Sequence, residues 1–270
     1  MKNISPWLDT IPDAKKFPSL TQDEKCDAVV IGGGIAGIMA ARELSQKGLS
    51  VILLEKNHLA TGDSGLTTGF LTRVPDTSAS EITASYGVDF LRRIFNATRR
   101  TQLSLFELIK KNNIDCDFIE CDSYYSSYEM EDEHLENEWK AYQKADDLAT
   151  NQIQEKAGEK IKAPLKKAIK FANEGRFHIR KFLFEVAKGF KIFEETEVQE
   201  VAPGKVKANG HIVTTEKIIV TMGNPSSLFP ELEPLIHPKI SYVLAARYKS
   251  LEITPISNDL FWDTGDPYFY

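Results

Sequence analysis

The first strongly patterned stretch is DAVVI at 27–31, an apolar, β-branched run that ends in glycines, as a buried parallel strand does. Residues 35–47 then repeat apolar positions at helical spacing. Ile38, Ala41 and Leu44 share one face, and Arg42, Glu43, Gln46 and Lys47 the other. Gly48 follows where a helix C-cap is expected. Residues 50–54 (SVILL) predict a second buried strand ending at Glu55, so the segment reads as a βαβ unit with short connections. From Ser80 to Asn112 the pattern is helical again, with Phe90, Leu91, Ile94, Phe95, Leu105, Phe106 and Ile109 in register. Residues 116–128 read as strands, 129–160 as a charge-rich helix with a solvated face, and 178–188 as a helix. Strands follow at 192–201, 205–208 and 211–213, with a buried one at 217–221 (KIIVT) and an alternating stretch at 239–250. Residues 1–25 are polar and proline-marked, with Trp7 and Leu8 as apolar anchors. They predict an extended arm lying on the domain.

Composition narrows the function classes. In 270 residues, 42% hydrophobic content can build a core, and a net charge of -6 with no basic stripe argues against a nucleic-acid partner. A metabolite or another protein is the expected partner. Cys26, Cys116 and Cys121 form no C-x-x-C pair, and the five histidines are scattered, so no metal site is expected and the thiols read as reduced. No run approaches the roughly 18 apolar residues that span a bilayer, and the start lacks a basic-then-apolar signal. The expectation is a cytoplasmic protein with no membrane association.

Chemistry enters at the junction of the first strand and helix. Gly32, Gly34 and Gly37 spell G-x-G-x-x-G there. Gly32 permits the tight turn, Gly34 lets backbone close on a pyrophosphate, and Gly37 lets helix and strand approach. The N–H groups around Ile35 and Ala36 then face the anion with the positive end of the helix dipole. Glu55, about 20 residues on, stands where a carboxylate accepts hydrogen bonds from ribose hydroxyls and repels a 2′-phosphate. The bland alternative is a packing turn with a surface Glu55. The fingerprint does not separate FAD from NAD. The small, hydroxylated loop Ala60–Gly69 suits close approach to a ribityl chain and ring system, although its composition also fits a solvent loop.

The run DAVVIGGGIAGIMAARELSQKGLSVILLEKNHLATGDSGLTTGFLT resembles the N-terminal region of FAD-dependent oxidoreductases of the D-amino-acid oxidase and glycine oxidase family. The preceding PWLDTIPDAKKFPSLTQDEKCD is similar to the arm of the branch whose members often carry a Rieske iron–sulfur domain. FANEGRFHIRKFLFEVAKG, FEETEVQEV, IIVTMGNPS and FWDTGDPYFY resemble later family segments. The resemblance implies an α/β fold: a Rossmann-like FAD-binding domain (24–114 and 165–227) with an inserted, mainly antiparallel β substrate domain (115–164 and 228–270, incomplete), after an N-terminal arm (1–23).

The same resemblance implies that Gly32, Gly34, Ile35, Ala36 and Gly37 hold the pyrophosphate, while Glu55 and Lys56 frame the ribose. Ser64, Thr67, Thr68 and Gly69 pass beside the ribityl and isoalloxazine, Val198 meets the adenine, and Thr221 and Gly223 close over the cofactor. The implied reaction is hydride transfer from the carbon beside a neutral amine of a small amine or amino acid to the flavin, followed by imine hydrolysis. No catalytic side chain is assigned. Phe70, Tyr242 and Arg247 are the substrate-side candidates, and His178 either caps its helix or sits near the cofactor, with the structural use favoured. Tyr124, Tyr125 and Tyr128 read as strand packing. Two residues depart from the family pattern: Ile179 follows His178 where proline is usual, and Met222 sits inside the Thr-Gly turn. Family members also continue past this length and the Rieske ligand set is absent, so a truncated chain is expected. That leaves open a non-catalytic FAD-binding remnant, a homo-oligomer, or a complementing C-terminal polypeptide. An NAD-dependent dehydrogenase is the remaining alternative.

Overall fold

The computed structural model describes residues 4–145, 151–155 (backbone), 164–225, 227–237, 242–244 and 258–265. They form two compact units, Met1–Thr68 with His178–Ala245 and Gly69–Phe177 with Ala246–Tyr270.

The first unit is built on a six-stranded sheet. Strand β1 (Glu24–Ile31) lies between β2 (Val51–Leu54) and β10 (His211–Val220), parallel to both, and β7 (Lys191–Phe193) extends the parallel set beyond β2. All four residues of β2 and the last four of β1 are buried, because a parallel sheet covered on both faces has no polar side. The other edge is a meander, with β8 (Val198–Ala202) and β9 (Lys205–Ala208) antiparallel to one another and β9 antiparallel to the start of β10. Asn209 and Gly210 both have positive φ (48° and 81°), which a two-residue hairpin turn requires and this pair tolerates. The expected strands at 211–213 and 217–221 are one continuous strand. Thr215 turns inward between them and its hydroxyl bonds the Lys217 carbonyl at 3.0 Å. Helix α2 (Ile35–Gln46) buries Gly37, Ile38 and Ala41, the expected inward stripe, whereas Leu44 is only half-buried.

The second unit carries a mainly antiparallel sheet in which β6 (Lys167–Arg176) is central. It pairs with β4 (Ile119–Ser127) on one edge and with β3 (Phe70–Leu71) and β5 (Asn151–Glu155) on the other. Strand β11 (Leu260–Asp263) adds to β4 in parallel. Three helices pack over it: α3 (Ala79–Tyr86), α4 (Val88–Lys111) and α5 (Glu133–Ala145). Their shared core contains Ile82, Leu91, Phe95, Leu135, Tyr142, Ile169 and Phe171.

Four sequence expectations are corrected here. The helix expected over 80–112 is two helices, divided at Gly87, whose φ of 83° breaks the α geometry. The charge-rich 129–160 stretch is a helix only to Ala145, with a strand at 151–155. Its charged face is not wholly solvated: Glu138 is buried and accepts the Ala79 and Ser80 N–H bonds at 2.8 Å each, capping α3 from a neighbouring helix. Finally, residues 228–237, expected with the second domain, fall in the first unit, and residues 69–114 and 165–177, expected with the first, fall in the second. Strand β3 pairs with β6 there, and α4 turns its apolar face onto the same core.

A buried polar knot joins β3, β6 and α4. Glu174 accepts hydrogen bonds at Oε2 from the Arg73 backbone N–H (3.1 Å) and Gln102 Nε2 (2.6 Å), and Arg73 Nε stands 3.4 Å from Oε1. Burial pushes the Glu174 carboxyl up to about 7, against the pull of Arg73 and Gln102. A carboxyl raised above its unfolded value near 4.3 favours folding while protonated, and that contribution disappears as pH rises through the folded pKa. Urea denaturation of the wild type is therefore expected to show a loss of about 3 kcal/mol between pH 4 and pH 8 from this group. In Glu174→Gln that slope is absent; an unchanged slope would show that Glu174 is not its source.

Candidate functional site

The opening of α2 is where the sequence placed its chemistry, and its geometry follows from glycine. Gly32 has φ of 112°, outside what a side chain tolerates comfortably. A Cβ on Gly37 would stand 1.9 Å from the Gly32 carbonyl oxygen and 2.7 Å from Thr221 Oγ1, so the helix crosses the turn at a distance that only glycine permits. Gly34 is the N-cap and supplies no side chain. The first intrahelical bond runs from Ile38 N–H to Gly34 O, at 3.0 Å. The N–H groups of Ile35, Ala36 and Gly37 therefore precede any intrahelical acceptor, and the dipole adds positive potential there.

Three segments converge on this opening. Glu55, at the end of β2, turns back so that Oε2 accepts Gly33 N–H at 2.6 Å, while Oε1 accepts Asn57 N–H at 2.8 Å. Ser64, on a 3-10 turn at Asp63–Gly65, accepts Ile35 N–H at 2.9 Å through its hydroxyl. Thr221, just past β10, donates its N–H to Ile31 O (2.9 Å) and its hydroxyl to Ile31 O (2.8 Å), which holds the end of β1. Gly223 lies beside the same 3-10 turn: a Cβ there would come within 3.0 Å of Asp63 Oδ2. Gly32, Gly34, Ile35, Ala36, Gly37, Glu55, Ser64, Thr221 and Gly223 are thus brought together.

The other expected site residues lie further out. Lys56 pairs with Glu197 at 2.8 Å on the surface. Val198 begins β8, just after Glu195 and Thr196, whose N–H groups bond Asn57 O and Glu55 O at 2.9 Å. Thr67 is exposed and its carbonyl accepts the Trp7 indole N–H at 2.6 Å; Thr68 is half-buried. Gly69 and Phe70 belong to the second unit, where Gly69 O accepts Phe177 N–H at 3.0 Å and Phe70 pairs with Arg176. Tyr242 is 93% exposed, and Arg247 lies outside the described residues. His178 caps α6 (Ile179–Val186). Its Nδ1 accepts Lys181 N–H at 3.3 Å, so the proton sits on Nε2, which donates to Thr10 Oγ1 at 2.8 Å. Tyr124 stacks on Phe261 (4.8 Å between centroids) and Tyr125 on Trp262 (5.4 Å), both as strand packing.

Two residues escaped the sequence reading. Gly33, an unmarked position of the fingerprint, is as constrained as its neighbours: a Cβ there would lie 2.9 Å from Glu55 Oε2 and 3.0 Å from Leu59 Cδ1. The run of three glycines was its only signal. Glu194 is buried, and its carboxylate accepts Leu59 N–H (2.6 Å) and Phe17 N–H (3.0 Å) and contacts His58 Nδ1 (3.2 Å). It anchors the chain just after Glu55, and nothing in its local pattern distinguishes it from the exposed acids beside it.

This opening fits a dinucleotide. It is lined with backbone rather than bulk, and the side-chain group on Ile35 N–H is one hydroxyl, which an anion can share or replace. Each Glu55 oxygen bonded to a backbone N–H retains acceptor capacity for a sugar hydroxyl. The family of FAD dependent oxidoreductases (DAO) matches residues 27–270. The chain belongs to that family.

FAD is the cofactor of the family, which decides against the NAD reading. The Bacillus subtilis Rieske 2Fe-2S iron-sulfur protein YhfW is 30% identical over 225 residues, covering 79% of this chain and 43% of that one. Gamma-glutamylputrescine oxidoreductase of Escherichia coli is 27% identical over 241 residues, covering 81% and 53%. Among solved structures, L-amino acid deaminase from Proteus myxofaciens superposes with a TM-score of 0.63 at 20% identity, over 79% of this chain and 48% of that one. Glycine oxidase from Geobacillus kaustophilus gives 0.60 at 17%, over 78% and 59%. These structures share the fold, and the chain spans about half the length of the relatives it matches. Among the described residues no helix is long and apolar enough to cross a membrane, and no cluster is arranged to hold a metal ion. The three cysteines are buried and form no disulfide among the described residues, and burial pushes the Cys121 thiol up to about 12.

The turn makes a steric prediction. Gly37→Ala is expected to cost about 3 kcal/mol in urea unfolding, since backbone must move to admit the methyl. Gly62→Ala, which meets open space, is expected to stay within about 0.5 kcal/mol. Equal effects would contradict the close approach.

Proposed function

We propose that the chain binds FAD with its pyrophosphate across the opening of α2 and oxidises the C–N bond of a small amine or amino acid. The observation that carries this reading is the Glu55 carboxylate held within a hydrogen bond of the glycine turn, at the mouth of a helix whose first N–H groups point outward. When bound, FAD supplies a two-electron acceptor for hydride removed from the carbon beside a neutral amine. The residues do the positioning. Ile35, Ala36 and Gly37 N–H groups neutralise the diphosphate, and Glu55 orients the adenosine ribose, with Lys56 flanking it. Val198 presents backbone to the adenine. Ser64, Thr67 and Thr68 run alongside the ribityl chain and ring, and Thr221 and Gly223 close beneath.

Relatives named as a gamma-glutamylputrescine oxidoreductase and an L-amino acid deaminase support amines or amino acids as the substrate class. Purified chain incubated with FAD and desalted is expected to be yellow with the two-banded flavin spectrum, and an anaerobic panel of amines and amino acids is expected to bleach it. Protein that stays colourless would refute the cofactor assignment. Flavin retained but bleached by no member would favour a non-catalytic FAD-binding module.

A further inference from the structure

We propose that the N-terminal arm is a positioning element for the flavin loop, with Ser5 and Trp7 fixing Gly65 and Thr67 and so holding the Ser64 hydroxyl at the mouth of α2. The proposal rests on the FAD reading above and extends it to residues outside the fingerprint.

Gly65 N–H bonds Gly62 O (2.8 Å) and Leu66 N–H bonds Asp63 O (3.0 Å), which closes one 3-10 turn in the loop, and Leu66 is 54% exposed. Two arm side chains bond its carbonyls. Ser5 Oγ donates to Gly65 O at 2.6 Å, and the Trp7 indole N–H donates to Thr67 O at 2.6 Å. These acceptors flank Ser64, whose hydroxyl meets Ile35 N–H, so a shift of the loop displaces that contact directly.

The arm is in turn fixed to the body of the first unit. Ser5 Oγ also accepts Trp7 N–H at 3.2 Å, capping the one-turn helix α1 (Pro6–Asp9), which is far too short to persist alone. The Trp7 ring packs edge-on against His178 at 5.0 Å. His178 Nε2 bonds Thr10 Oγ1, which donates onward to Pro6 O at 2.6 Å. The half-buried end of the buried Arg180 reaches the carbonyls of Trp7 (3.4 Å) and Ile11 (3.3 Å). Further along, Phe17 and Leu20 donate backbone N–H groups to Glu194 and to Thr196 Oγ1 at 3.0 Å each. The carboxylate that receives Phe17 also holds Leu59, at the start of the same loop region. One strap therefore touches the Ser64 turn at its near end and is tied through Glu194 to the segment after Glu55 at its far end.

The test uses the full chain with FAD as the probe. Trp7→Phe keeps the ring against His178 and removes the donor; Ser5→Ala removes the hydroxyl and Ser5→Thr retains one. Loss of one such bond is expected to raise the FAD dissociation constant about fivefold. The visible circular dichroism of bound flavin is expected to change, and amide exchange at residues 62–68 of FAD-free protein to quicken. Ser5→Thr is expected to restore the wild-type affinity and spectrum that Ser5→Ala loses. Variants that melt earlier or exchange faster but bind FAD with unchanged affinity and dichroism would overturn the proposal and leave the arm a purely structural strap. Failure of the unsubstituted chain to take up FAD would instead overturn the cofactor reading, and the proposal with it.

Discussion

The carbonyl oxygen of Gly32 occupies the space that a Cβ on Gly37 would need, and the rest of the first unit is arranged around that close approach. It sets α2 against β1 so that the helix begins immediately past the strand, with Gly34 as a cap that contributes no side chain. The N–H groups of the first turn then emerge into the space between the ends of β1, β2 and β10. Thr221 locks the turn from the β10 side through Ile31 O, and Glu55 locks it from the β2 side through Gly33 N–H. An opening lined with backbone N–H groups results from this strand packing. That arrangement suits a diphosphate whose remaining parts are recognised by separate segments.

Glu138, which caps α3, is not the only buried carboxylate: Glu194 and Glu174 are buried as well. Glu194 accepts two backbone N–H bonds and ties the arm to the loop after β2, so its cost of desolvation is met by donors that themselves need partners. Glu174 sits beside Arg73 in the second unit, where desolvation outweighs its partners and pushes it up to about 7. Neither lies at the dinucleotide opening. They act on the frame.

The βαβ unit was legible because three levels agree over 27–55: β-branched runs, helical periodicity and a glycine spacing with a steric meaning. Longer-range features were not. The break at Gly87 is hidden because the apolar stripe continues across it, and a lone glycine inside a helical pattern does not announce a positive φ. The grouping of 69–114 with the second unit depends on β3 pairing with β6, a contact about a hundred residues apart that local pattern cannot encode. Glu138 and Glu194 looked like surface acids because a buried carboxylate is recognised by the N–H groups aimed at it, and those come from remote segments. His178 was the opposite case: its place just before a helical run suffices for a cap, and the structure makes it one.

In the proposed mode of binding, FAD is recognised by its diphosphate and adenosine sugar, gripped by backbone N–H groups and Glu55. Calorimetric competition, with FAD, FMN and ADP titrated against the same protein, measures that grip. ADP is expected to displace FAD, and FMN, which lacks the adenosine half, to bind about a hundredfold more weakly, roughly 3 kcal/mol. Equal affinity for FMN and FAD, with no displacement by ADP, would contradict it.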